Sequence, residues 1–152
     1  MTNTSTKIII AHRGNLDGPN SDKENHPDYI KEALKQGFDV EIDLWSIDNK
    51  LYLGHDGPQY ETNWDFIQDH MWVHCKNIEA FKTIIGGLSF IHCFFHDTDD
   101  CTLTSEHWIW TYPGKPILCE WQVAVMPERV PDWDISKAGG ICTDYPGKYK
   151  VL

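Results

Sequence analysis

The sequence predicts an α/β fold whose first half alternates strand and helix and whose second half is strand and loop. Apolar, β-branched runs of strand length recur along the whole chain, while amphipathic stretches of helical length stop at Gly86-Gly87. The 152 residues, 41% hydrophobic and with seven Trp, suit one domain over 1–152 with a substantial core. No repeat, linker or low-complexity tract divides them.

The elements follow in order. Lys7–His12 is a short β-branched run that ends at Arg13-Gly14, a buried strand entering a loop. Asn15–Asn25 is polar and rich in Gly, Pro, Asn and Asp, hence loop. A helix is expected over about 26–36, with Asn25 as N-cap, Pro27 in the first turn and Gly37 closing it. Phe38–Trp45 alternates Val40, Ile42 and Leu44 with Asp39, Glu41 and Asp43, a second strand. Lys50–Gly54 is a third, joined through the turn Asp48-Asn49. A short helix at 63–69, a strand at 72–76, a helix at 77–85 and a strand at 88–95 complete the first half. Beyond it, 107–112, 116–125 and 140–143 read as strands joined by loops too short for a standard helix.

Composition narrows the function classes. With 23 acidic against 13 basic residues, the chain lacks the basic surface that broad nucleic-acid or anionic-membrane binding requires. No apolar run reaches the ~18 residues of a membrane span, and Met1–Lys7 has neither the charge nor the apolar stretch of a signal peptide. Five scattered cysteines without CxxC spacing argue against structural zinc or a disulfide framework, and for the reducing cytoplasm.

Polar residues stand where buried parallel strands should be apolar. His12 ends the first strand, and Glu41 and Asp43 share one face of the second. His55 follows the third, and His74 and Lys76 share a face of the next. Ligand sites of α/β folds gather at the carboxyl ends of parallel strands. Two neighbouring buried carboxylates repel unless a cation neutralises them. Oxygen ligands favour Mg²⁺, Ca²⁺ or Mn²⁺ over structural zinc. Two histidines beside a cation, Arg13 and Lys76 suit phosphodiester chemistry: cations hold phosphate oxygens, one His accepts a proton and the other donates one.

The run His12-Arg13-Gly14, Glu24-Asn25, Glu41-Ile42-Asp43, Gly54-His55-Asp56 resembles the glycerophosphodiester phosphodiesterase family. Thr143-Asp144-Tyr145-Pro146 looks like that family's closing strand and loop. The resemblance is dense over residues 8–56 and sparse afterwards. It implies a TIM-type barrel of the phosphatidylinositol-phospholipase-C-like superfamily, here a reduced (β/α) barrel with helices missing in its C-terminal half. It also implies a metal-dependent hydrolase of lipid-derived glycerophosphodiesters. His12 and His55 would be the acid–base pair, and Glu41 and Asp43 metal ligands. Arg13 and Lys76 would contact phosphate, with Glu24 a supporting polar residue.

Two departures stand out. Where the family carries Glu-x-Lys on its third strand, this chain has His74-Cys75-Lys76, so an imidazole replaces the third metal-binding carboxylate. His74 is then the expected third ligand, softening the site towards Mn²⁺ or Zn²⁺; Glu120 and the Asp97–Asp100 loop are alternatives. A barrel of eight units would also have only about 19 residues per unit, against ~250 residues in a usual barrel. Bare second-half strands would then need covering, which predicts a homo-oligomer. Two rivals remain open at this level: a lyase that stops at a cyclic phosphate, and a phosphate-binding module without turnover.

Overall fold

The computed structural model describes residues 6–88, 90–96 and 98–150. In chain order its elements are β1 (Ile8–His12), α1 (Pro27–Lys35), β2 (Asp39–Ile47), β3 (Lys50–Leu53), β4 (Tyr60–Thr62), β5 (Met71–Cys75), α2 (Ile78–Gly87), β6 (His92–Phe95), β7 (Cys101–Leu103), β8 (Ile109–Thr111), β9 (Gln122–Val125) and β10 (Gly140–Thr143). Short 3-10 turns lie at Trp64–Phe66, Pro127–Arg129 and Pro146–Tyr149.

All ten strands belong to one curled sheet. Seven of them, β6-β5-β2-β1-β10-β9-β8, run parallel, while β3, β4 and β7 add antiparallel pairs. Chain ends meet early: β1 lies between β2 and β10, with Ile10 opposite both Asp39 and Cys142. Between β6 and β8 the curl is joined by loop rather than ladder, where the Ser105 N–H donates to Cys93 O and its hydroxyl accepts from Cys93 N.

This architecture corrects the expected reduced (β/α) barrel. Only two α-helices occur among the described residues, and the sheet is a mixed, curled half-barrel without regular strand–helix alternation. The physical reason is chain length. α1 crosses from β1 to β2 and α2 from β5 to β6, whereas the second-half connections are loops and short 3-10 turns. The helix expected at 63–69 shrinks to the single turn Trp64–Phe66, capped by Asn63 Oδ1 on Phe66 N. The strand expected at 116–125 keeps only Gln122–Val125, because the Gln122 amide gathers the preceding loop. Its Oε1 accepts from the Leu118 N–H and its Nε2 donates to Pro116 O. The three-residue strands β4 and β7 had no apolar alternation to announce them.

Alternation along the strands sorts the core into two faces. The outer face of β1, β2, β5 and β6 (Ala11, Val40, Ile42, Leu44, Val73, Cys75, Cys93) packs against Ile30 and Ala33 of α1 and Ala80 and Ile84 of α2. The inner face is filled by Ile10, Trp72, Phe94, Trp110, Val123, Val125 and Cys142. That plug supports whatever stands above it at the strands' carboxyl ends. No helix of the described residues is long and apolar enough to cross a membrane.

Candidate active site

β1 ends in His12, whose ring is nearly buried. Its Nδ1 lies 2.8 Å from Asp144 Oδ1. A carboxylate can only accept, so Nδ1 carries the proton and Nε2 is left as the basic nitrogen. Nε2 is 3.9 Å from Glu41 Oε2. Burial opposes a charged ring, but the Asp144 hydrogen bond and the Glu41 carboxylate outweigh it, leaving the His12 pKa above its ordinary value.

Arg13 turns the chain sharply, with φ 53°. A non-glycine residue holds this left-handed conformation only when its surroundings compensate. Here Glu41 does so from two atoms: the Arg13 N–H donates to Glu41 O at 3.0 Å and lies 3.2 Å from Glu41 Oε2. Gly14 follows at φ 84°, pressed against the backbone of Tyr29 and Ile30, which a β-carbon would crowd at 3.2 Å. The guanidinium spreads over three groups. Nη1 donates to Glu24 Oε2 at 3.0 Å, Nη2 to His55 Nδ1 at 2.7 Å, and Nε lies 3.2 Å from Asp43 Oδ2.

Asp43 is the hub. It is fully buried, and His74 Nδ1 (3.2 Å), His55 Nδ1 (3.4 Å) and Lys76 Nζ (3.9 Å) all face it. Asn25 grips it from below: Asn25 Nδ2 donates to Asp43 Oδ2 at 2.8 Å, while Asn25 Oδ1 accepts from the Asp43 N–H at 2.9 Å. Burial pushes the carboxyl's pKa up, yet the contacts from His55, His74 and Arg13 hold it well below the usual range. Glu41, equally buried, has fewer cationic neighbours. Burial and then the Asp43 charge raise its pKa. Of the two carboxylates, Asp43 is the one held more firmly in its charged form.

The β2–β3 hairpin returns His55 to this cluster. Gly54 donates to Asp43 O at 3.1 Å and has φ 148°; a β-carbon there would lie 2.1 Å from Gly57 O, so only glycine fits. Since Arg13 Nη2 can only donate, His55 Nδ1 accepts, and the proton of the neutral ring sits on Nε2.

Glu41, Asp43 and His74 each offer one donor atom within 4.8 Å of the others. His74 Nδ1 is 3.2 Å from Asp43 Oδ1 and 3.8 Å from Glu41 Oε1, spacings that modest contraction would bring around a small divalent cation. His12, Arg13, Glu41, His55 and His74 line one cavity of about 160 Å³ together with Trp110, Tyr112, Pro113, Val125, Met126 and Arg129 from the second half of the chain. Larger cavities elsewhere, including one of about 500 Å³ near Lys7, Phe38 and Lys150 at the strands' amino ends, hold no comparable cluster.

All eight residues singled out from the sequence lie in this one contact network. Glu24 stands behind Arg13 and accepts from both Arg13 and Asn15 Nδ2 (2.9 Å), orienting the guanidinium from outside the cavity. Glu120 is not part of the network; it is exposed in the turn before β9. Asp97 lies outside the described residues, and Asp100 pairs with Lys115 Nζ at 2.8 Å. Asn25 is no N-cap; His26 caps α1 by accepting from the Asp28 N–H. Sequence reasoning missed Asn15 and Asn25 as members. Asn15 follows one motif and Asn25 stands within another, but a side-chain amide gripping a carboxylate leaves no periodic trace. No family model, curated protein or solved structure matches this chain.

Proposed function

We propose that this chain is a metal-dependent phosphodiesterase acting on small glycerophosphodiester-like substrates. One observation carries the reading: His12, Arg13, Glu41, Asp43, His55, His74 and Lys76, drawn from distant chain segments, converge at the carboxyl ends of parallel strands. Glu41, Asp43 and His74 would hold the cation: Mg²⁺ or Ca²⁺, with Mn²⁺ or Zn²⁺ favoured to the extent that the imidazole ligates. When bound, such a cation supplies Lewis-acid polarisation of a phosphate oxygen. Arg13 and Lys76 offer charge to the same phosphate.

His12 serves as base. Asp144 fixes its tautomer, and its Nε2 takes a proton from the attacking water as the new P–O bond forms. His55 serves as acid in its imidazolium form: Nδ1–H faces the Asp43 carboxylate and Nε2–H protonates the leaving alkoxide as the old P–O bond breaks, leaving the neutral ring. Arg13 must turn from His55 to reach a phosphate. Asp43, 3.4 Å from the same nitrogen, then stands beside Nδ1 in its place. The net reaction consumes one water and releases an alcohol and a phosphomonoester.

A second reading rests on the charge balance. Asp43 is already matched by Arg13, Lys76 and two imidazoles, an arrangement that suits a phosphate-binding pocket without turnover. Hydrolysis of bis(p-nitrophenyl) phosphate, with Mg²⁺, Ca²⁺, Mn²⁺ and Zn²⁺ supplied in turn to chelator-treated protein, separates the two. Cation-dependent release of p-nitrophenol is expected. Full turnover without cation removes the metal role, and no turnover with any of the four leaves the binding pocket.

A further inference from the structure

Tyr112 directly follows β8 and lines the same cavity as His12, Glu41 and His74. Its hydroxyl oxygen is buried and has no hydrogen-bond partner among the described residues. Leaving a hydroxyl dry and unpaired opposes folding, so a structure that keeps one at a pocket wall needs a reason. The ring is not free to seek another partner. His96 stacks on it at 3.9 Å between centroids and 21° between planes, and the Tyr112 N–H is fixed to Asp100 O at 3.0 Å.

Resting on the phosphodiesterase reading, we propose that Tyr112 is a substrate-contact residue whose hydroxyl donates to an oxygen of the bound phosphodiester. The donor is dependable. Burial and the nearby Glu41 charge push its pKa up, so the hydroxyl keeps its proton wherever the enzyme would work. The chemistry it recognises is an acceptor oxygen, which a phosphodiester supplies and the surrounding apolar wall of Trp110, Val125 and Met126 does not. Tyr112 belongs to the second half of the chain, so a bound phosphate would be held by residues of both halves.

The test is Tyr112→Phe, which removes the hydroxyl and leaves the stacking ring. Dimethyl phosphate, the smallest phosphodiester anion, is titrated calorimetrically with Mg²⁺ present, and each protein's melting temperature is recorded. Affinity should fall about tenfold or more, the worth of one hydrogen bond to a charged acceptor. The melting temperature should hold or rise, because the variant no longer buries an unpaired hydroxyl. Equal affinity in the two proteins overturns this inference alone. A clear drop in melting temperature assigns the hydroxyl a structural role and also overturns it. Absence of binding by wild type overturns both this inference and the reading beneath it.

Discussion

The two halves of the chain solve the same packing problem differently. Through β6, the sheet's outer face is covered by α1 and α2, and the buried residues there form one continuous layer from Ala11 to Cys93. After β6 no α-helix appears among the described residues. The outer face of β9 is covered instead by a loop that brings Trp133 and Ile135 onto Ala124 and Ala138. Exposed large apolar side chains occur in both halves, Ile78 and Ile85 on α2 as well as Leu103, Leu118 and Trp121, of which Leu118 is the most exposed at 73%. The helix-backed half supplies every expected acid, base, ligand and cation. The loop-backed half supplies the aromatic wall and Asp144, which orients His12. Catalytic-type groups need rigid backing, whereas a pocket wall tolerates irregular support.

The largest test of that division falls on the first half. General acid–base catalysis contributes about 100- to 10,000-fold per group, so His12→Ala and His55→Ala should each lower kcat by at least about 100-fold on a glycerophosphodiester, whose leaving group is a poor alkoxide. The double variant should lose far less than the product, since both act in one proton-transfer cycle. A better leaving group should partly rescue His55→Ala and not His12→Ala; the reverse pattern exchanges their roles. On the second half, Asp144→Asn keeps the shape but replaces an acceptor-only group. It should cost about 10- to 100-fold in kcat with KM little changed, the range for residues that orient a functional group. An unchanged kcat would confine the chemistry to residues before 96.

Stability sharpens the same contrast. Ile42→Ala, beneath the helices and fully buried, should cost about 2–5 kcal/mol in denaturant unfolding. The exposed apolar residues of the second half predict a homodimer at micromolar concentration. Light scattering should report it, and Trp121→Glu should return a monomer if that face is the contact; a wild-type monomer across the range removes the expectation. The smallest effect concerns His70, whose hydrogen bond to Asp39 (2.9 Å) raises its pKa. A raised histidine stabilises the fold below the unfolded value near 6.5, and that contribution fades as pH rises through the folded value. The exposed ring keeps it within about 1 kcal/mol. His70→Gln should flatten the slope of stability against pH in that window.

Some of this was written locally. The β-branched run before His12 and the alternation of Val40, Ile42 and Leu44 with Glu41 and Asp43 suffice for two strands, because a period of two assigns each side chain a face without further information. The same alternation put both carboxylates on one face. The Pro27 and Gly37 brackets likewise located α1 to within a residue or two. What failed locally were features decided by contacts between distant residues. β4 and β7 exist because a neighbouring edge was available to pair with. Gln122 shortened a strand by hydrogen-bonding the loop before it. Barrel closure failed for want of chain rather than of strand signal.

For the site, residue types and spacing determined which groups were chemically able to act: two imidazoles, two paired carboxylates, an arginine and a lysine at strand ends. Tertiary structure alone decided what each group does within the cluster. Asp144, 132 positions from His12, selects that ring's tautomer, and Arg13 selects the other tautomer for His55. Proton placement on an imidazole follows from the partner of its second nitrogen, and that partner comes from wherever the fold brings a donor or an acceptor. Sequence spacing carries identity and face, but the sharing of a proton or a charge is settled only at hydrogen-bond distance.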